Sequence, residues 1–345
     1  MKAIVETRPT IVDIARRAGV SPGAVSFALN GKPGVSEQTR ARIIEIAQEL
    51  RWEPNRAALS LGGAPVGSMG LVIARPARIV GAESFFAQLI AGLQSALSQH
   101  GTTLQLLIVE SIEAEAEIYR AWWQQQRVDG VFVIDVQADD PRITVLEALG
   151  LPAVIAGEPL KPGNIPTVSA DDEEAMLTLV DYLCELGHRR IAHVSGFQQF
   201  LHTQRRMKAL QDSVQRRGLL WAQSFSTDFS DSQGALITRQ LMTQETPRPT
   251  AIIYDSDVMA VAGLGVAGEM GVVVPGELSI VSFEDSALNR LTHPAMTALS
   301  RDSFELGELL ANTLVSVVEG TLQNPRVPAT MPVLSVRGSS GAAPK

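Results

Sequence analysis

Thr10-Ile11-Val12-Asp13-Ile14-Ala15-Arg16-Arg17-Ala18-Gly19-Val20-Ser21-Pro22-Gly23-Ala24-Val25-Ser26-Phe27-Ala28-Leu29 contains two helix start signals separated by a stop. Thr10 is placed to cap the first helix, and Asp13 puts negative charge in its first turn, where the helix dipole favours it. Ile11, Ile14, Ala15 and Ala18 fall on one face, and Gly19 ends the helix. The second start is Ser21-Pro22: the serine caps, and the proline takes the first helical position, where a missing N–H does no harm. This helix runs to about Leu29 with Val25, Ala28 and Leu29 inward. A third, from about Glu37 to Arg51 after Ser36, offers Ile43, Ile44, Ala47 and Leu50 to close a three-helix core. Two helices around a tight glycine turn form a helix-turn-helix arrangement, although three short amphipathic helices also suit a protein-binding bundle.

Outward from this stretch, Gly62-Gly63-Ala64-Pro65-Val66-Gly67-Ser68 can hold neither a helix nor a central strand and reads as a linker. Beyond it, apolar strand-like runs alternate with helix-length segments. Strands are expected at Met69–Ala74, Leu104–Val109, Gly130–Ile134, Ala153–Ala156, Ile191–Ser195, Ala251–Asp255 and Ser279–Phe283. Helices are expected near Phe85–Gln99, Ala114–Gln126, Pro141–Leu149, Glu173–Leu186, Gln204–Arg217, Ser232–Thr243 and Ser256–Met270. This alternation implies βαβ units and parallel sheets covered on both faces. A softer break at Lys161–Pro166 separates two such stretches, so the body is expected to be two-lobed, with a cleft lined by strand-end loops. The expected organisation is a head over 1–54, a hinge helix and linker over 55–67, the body over 68–338 and a flexible tail over 339–345.

The chain of 345 residues is 45% hydrophobic and 19% charged, which excludes bulk disorder and gives enough apolar surface for sizeable cores. Net charge is −8, but residues 1–60 carry nine Lys and Arg against six Asp and Glu; that region is +3 and the remainder −11. The positive charge is therefore at one end, which removes the objection that an acidic protein repels nucleic acid. The lone Cys184 cannot form an intrachain disulfide, a usage that fits a reducing cytoplasm. No secretory signal or membrane-length apolar run is read from the sequence. His100, His188, His193, His202 and His293 lack zinc-ligand spacing, and no nucleophile elbow or phosphate loop occurs. Neither enzymatic activity nor a metal or cofactor is expected.

Arg8-Pro9-Thr10 through Val20-Ser21, then Ala24-Val25-Ser26, Leu29-Asn30-Gly31, Val35-Ser36, Thr39-Arg40 and Pro54-Asn55-Arg56 closely resemble the DNA-binding head of LacI/GalR-family transcription regulators. The resemblance continues through the body to about Arg337, and implies a helix-turn-helix head joined by a hinge to an α/β, two-lobed, periplasmic-binding-protein-like domain with parallel sheets. It implies that the second helix enters the major groove with Pro22, Gly23 and Phe27 at its base-reading positions. None of the three can make bidentate hydrogen bonds to a base, so readout falls to thymine-methyl contact, close backbone approach and Ser26. Thr10, Ser21, Asn30, Ser36, Thr39 and Arg40 match positions that hold phosphates, which fix register without carrying sequence information. In the hinge, Asn55 matches a cap and Leu61 the wedge that kinks the operator centre through the minor groove. Leu59 stands where many members carry a polar or basic residue, and it reads as a residue packing against the partner hinge.

In the cleft the resemblance implies effector contacts from Arg75, Phe85, Asp135, Arg206, Phe229, Asp255, Asp257 and Glu284. Arg206 would hold vicinal hydroxyls or a carboxylate with its fork of donors, and Phe229 would stack on a ring. Neighbouring Arg205 reads as a solvated surface charge. Phe85, Phe86 and Phe229 are also compatible with core packing, and Asp255 or Asp285 with capping the segment that follows. Converging carboxylates favour a neutral polyol or a cation over an anion, and a carbohydrate is the expected effector. The expected function is an effector-responsive transcription repressor, binding double-stranded pseudo-palindromic operator DNA as a homodimer or a tetramer built from it. A DNA-tethered carbohydrate-binding enzyme and a protein-binding adaptor are the alternatives.

Overall fold

The computed structural model describes residues 9–52, 65–161, 163–243 and 247–345. Backbone contacts divide the chain into two units, Met1–Val66 and Gly67–Lys345. In the first, helices Ile11–Ala18, Pro22–Leu29 and Glu37–Glu49 stand where the start and stop signals put them. Thr10 and Asp13 cap each other reciprocally, and Gly19 ends the helix at a φ of 69° that a residue bearing a Cβ adopts only with strain. Ser21 and Ser36 accept from the amides of Ala24 and Thr39. Ile14, Ala15, Ala18, Val25, Ala28, Ile43, Ile46 and Ala47 form the core. Ile44, expected inside, is 40% exposed; the helical phase puts Ile43, Ile46 and Ala47 on the inward stripe instead.

The second unit contains strands β1 (Ser68–Ala74), β2 (Thr103–Val109), β3 (Gly130–Val133), β4 (Ala153–Ala156), β5 (Thr167–Ser169), β6 (Arg190–Ser195), β7 (Trp221–Ser226), β8 (Ala251–Tyr254), β9 (Ser279–Ser282), β10 (Thr297–Ser300), β11 (Arg326–Pro328) and β12 (Val333–Ser335). They form two six-stranded sheets, in the orders β11-β5-β4-β3-β1-β2 and β12-β10-β9-β8-β6-β7. The first is parallel throughout. The second is parallel except where β12 runs against β10.

The lobes are not two successive halves. β5 pairs with β4, so the first lobe continues past the soft break at Lys161–Pro166. After β10 the chain returns to that lobe as the helix Ser303–Val318, packs Leu310, Ala311 and Leu314 into its core, and adds β11 beside β5. It then crosses back as β12. This helix lies so close to helix Ser84–Gln99 that a Cβ on Gly92 would overlap the Phe304 carbonyl, and one on Gly307 the Leu89 carbonyl. The residues after Gly338, expected as a flexible tail, are docked. Ser339 is fully buried, its Oγ donating 2.5 Å to the Ile280 carbonyl, and the Ala343 amide donates to Leu186. Among the described residues, no helix is long and apolar enough to cross a membrane.

Candidate functional site

Strand order reverses between β1 and β3 in one sheet and between β6 and β8 in the other, and a crevice opens beyond the carboxyl ends of such strands. Arg75 follows β1, Asp135 stands two residues beyond β3, Asp255 follows β8, and Glu284 stands two beyond β9. All four line one cavity of about 120 Å³, several times the ~15 Å³ that one ordered water needs. Phe85, Arg206 and Phe229 line it as well. The chain thus brings together seven of the eight expected effector residues. Asp257 is set aside from the cavity: its Oδ2 accepts from Ser84 Oγ of the other lobe, and its Oδ1 from the Val258 amide at 2.8 Å.

In the first lobe Arg75 donates through Nε and Nη2 to the two Asp135 oxygens at 2.7 and 2.8 Å, and through Nη1 to Glu83 at 2.9 Å. Asp135 has a φ of 55°, unusual for a residue bearing a Cβ, and its carbonyl is held by Arg142 Nη2 at 3.1 Å. One guanidinium serves two carboxylates, and the two respond oppositely. Burial opposes charge on Asp135, but the Arg75 charge and fork overcome it and hold the carboxyl below its ordinary range. Glu83 has one hydrogen bond to Arg75, and burial prevails: its carboxyl is pushed up to about 8.

In the second lobe Arg206 donates through Nε and Nη2 to Asp172 Oδ1 at 3.0 and 2.8 Å, and through Nη1 to Asp255 Oδ1 at 3.1 Å. Its guanidinium carbon lies 3.6 Å from the centroid of Phe283. Asp255 also meets His193 Nε2 at 3.1 Å and accepts the Gly196 amide at 3.0 Å. Despite burial, these partners keep Asp255 well below the usual carboxylate range, and Arg206 with Arg301 brings Asp172 down to about 2. Asp255 therefore caps no following helix; Ser256 does that.

Among the described residues no hydrogen bond falls on the Glu284 carboxylate, and burial pushes its pKa up. Arg301, at the crossing after β10, has an Nε without a partner among the described residues, and its Nη2 is 3.6 Å from Asp172. His202 is kept neutral, its pKa lowered by burial and by Arg206 to about 4. These three offer the cleft a donor fork, an acceptor and a neutral imidazole. Asp172, Arg301, His202 and Glu83 were not among the expected effector residues. Arg301 follows an apolar run, Met296–Leu299, a strand-end signal like that of Asp255; Asp172 opens a helix and Glu83 precedes one, so both resemble helix-start residues; His202 has no sequence signal. Arg205, read as a surface charge, instead lines the cavity and donates 2.6 Å to the Glu158 carbonyl across the lobes. Phe86 belongs to the core of the first lobe, and the ring of Phe229 lies where a Cβ on Gly196 would be.

In the head, Pro22, Gly23 and Phe27 lie exposed on the second helix, Phe27 at 46%. Ser26 is half-buried and accepts from Asn30 Nδ2 on both its carbonyl, at 2.9 Å, and its Oγ, at 3.4 Å. Thr10, Ser21 and Ser36 stand at helix N-termini, with Thr39 Oγ1 2.8 Å from Ser36 Oγ. Arg40 clips the second helix: Nη1 donates to Ala28 O at 2.8 Å and Nη2 to Lys32 O at 2.7 Å. Asn55, Leu59 and Leu61 lie outside the described residues.

Residues 10–55 match the family described as bacterial regulatory proteins, lacI family, and residues 180–340 the periplasmic binding protein-like domain. The HTH-type transcriptional regulator CelR of Thermobifida fusca is 30% identical over 322 residues, covering 92% of this chain and 94% of the relative. A solved structure titled as a complex of the transcriptional regulator CelR with cellobiose is similar with a TM-score of 0.72 and 29% identity, over 96% of this chain and all of that one. The lac repressor dimer bound to operator and the anti-inducer ONPF matches with a TM-score of 0.82 over 97% of this chain and all of that one; at 24% identity it shows the fold alone.

Proposed function

The chain belongs to the LacI family of bacterial regulatory proteins, and from that membership we propose that it is a repressor acting as a homodimer on a pseudo-palindromic operator, released or recruited by a carbohydrate-like effector in the interlobe cleft. The observation that carries the effector reading is the gathering of Arg75, Asp135, Arg206, Asp255 and Glu284 at the two strand-order reversals. Eight acidic side chains, Glu83 among them with its carboxyl raised to about 8, and four arginines line the cavity, a balance that disfavours anions. Arg206 is committed to Asp172 and Asp255, so hydroxyl groups of a polyol are left to Arg301, Glu284 and His202. A regulator of transcription that binds cellobiose is among the relatives, which supports the same ligand class.

Dimerisation is supported by β2, an edge strand on which Leu106, Leu107 and Ile108 are each about 40% exposed; an edge bearing apolar side chains on both faces calls for a partner. Two heads would then read two half-sites, with Leu61 as wedge and the exposed positions of the second helix in the groove. The effector acts by binding the DNA-competent and DNA-incompetent states with different affinity. A cytoplasmic, non-enzymatic role completes this reading.

A gel-shift series on the gene's own promoter region, with a thermal-shift screen of sugars, tests it. The expected result is salt-sensitive operator binding altered by a sugar that also raises Tm and is recovered unchanged. No binding to any promoter fragment, with or without sugars, would overturn it.

A further inference from the structure

Phe229 has the place expected for stacking on a ligand ring, and its face is already covered. The guanidinium carbon of Arg75 stands 4.4 Å from the Phe229 centroid, 4.9 Å from Phe200 and 5.2 Å from Phe86. Arg75 leaves β1 in the first lobe, whereas Phe200 and Phe229 belong to the core of the second. Asp135 and Glu83 hold the guanidinium at this place, and only 4% of the residue is exposed. A cation over aromatic faces is attracted most strongly where water is excluded, as it is here.

Around Arg75 the lobes interlock. Ile79 of the first lobe sits in the second lobe's core, and Leu201 of the second sits in the first lobe's. The Leu201 amide donates to the Val136 carbonyl at 2.9 Å, and Gln137 pairs with Phe200 in an antiparallel bridge. We propose that Arg75 is a tethered occupant of the cleft's aromatic box, holding the two lobes together before any effector arrives. An effector then binds beside Arg75, on the wall formed by Glu284, Arg301 and His202, and one that carries its own cation competes with Arg75 for the rings. The effector part rests on the function proposed above; closure of the empty protein does not.

Hydrogen exchange of the full-length, ligand-free protein reads the closure at the Leu201 amide, whose partner lies in the other lobe. Two variants weaken the contact differently. Arg75→Lys keeps the charge but loses the planar fork, and Phe200→Leu removes a ring while leaving Arg75 and its carboxylates paired. In each, the Leu201 amide is expected to exchange roughly tenfold faster, while the amides of β3 stay protected and report an intact first lobe. Should Arg75→Lys also expose β3, Phe200→Leu alone decides. Unchanged Leu201 protection in Phe200→Leu, with β3 intact, overturns the proposal. Absence of any sugar response in the thermal-shift screen would sink the effector reading and leave this measurement unaffected.

Discussion

Arg206 carries two buried carboxylates at once, and its removal has two consequences of different kinds. Asp255 would lose its arginine and Asp172 would keep only Arg301 at 3.6 Å, a loss of up to about 3–5 kcal/mol for a broken buried pair. Arg206→Ala is therefore expected to lower Tm markedly and to abolish the sugar response while folded protein still binds operator. Arg206→Lys, which keeps the charge but not the fork that positions Asp172 and Asp255, should regain most of the stability but not the response; a normal response in either variant would show that Arg206 does not position the effector site. Glu83 gives a pH signature. Its carboxyl rises from an ordinary 4.5 to about 8 on folding, so its stabilising contribution is complete below about pH 4.5 and is lost as pH climbs through 8. Asp172 acts in the other direction: brought down from 3.8 to about 2, it stabilises above pH 3.8 and ceases to do so on acidification toward 2. Glu83→Gln keeps an acceptor for Arg75 and cannot ionise. It should flatten the fall in Tm between pH 5 and 9 and gain a few degrees over the parent at the alkaline end; parallel profiles would mean that Glu83 is charged throughout.

Among the elements, the helix Ser303–Val318 shows what periodicity can and cannot provide. It was not among the helices expected, although Asp302 caps it and Leu306, Leu310 and Leu314 repeat every four residues. That pattern identifies a helix but not the lobe it serves, since the partner helix Ser84–Gln99 lies far away in sequence. Gly92 and Gly307 let the two backbones meet. Gly307→Ala is expected to push them apart at a cost of more than about 2 kcal/mol, read as a drop in Tm and loss of exchange protection in the helix; a change below 0.5 kcal/mol, the scale of a neutral surface substitution, would show that the contact relaxes freely. The strands β5, β11 and β12 span three residues each, too few for alternation to register, and β7 is a polar edge strand that lacks an apolar run. The three helices of the head, by contrast, were legible almost to the residue, because capping serines, Pro22 and Gly19 act on their immediate neighbours.

For the whole molecule the decisive question is assembly. The exposed edge at Leu106, Leu107 and Ile108 is the part of the proposed dimer that the described residues display. A charge there would be buried against its symmetry mate in a two-fold interface. Leu107→Glu is expected to convert the dimer to a monomer in sedimentation, and to weaken operator binding by at least about 100-fold as the second half-site contact is lost. Retention of the dimer would move the interface to another face.

The sequence alone determined the head, the alternation that gives parallel sheets, and the strand ends at which Arg75, Asp135, Asp255 and Glu284 appear. These depend on caps, helical phase and strand period, interactions that span a few residues and so leave a local record. Tertiary structure decided which lobe each late segment joins, as when Thr167 pairs with Arg326. It also decided which charges meet: Arg205 reaches Glu158, Asp257 turns to Ser84, and Arg75 covers the ring of Phe229. Such pairings follow from two sheets facing each other, and Coulomb and packing energies depend on distance in space, which the order of residues along the chain does not encode.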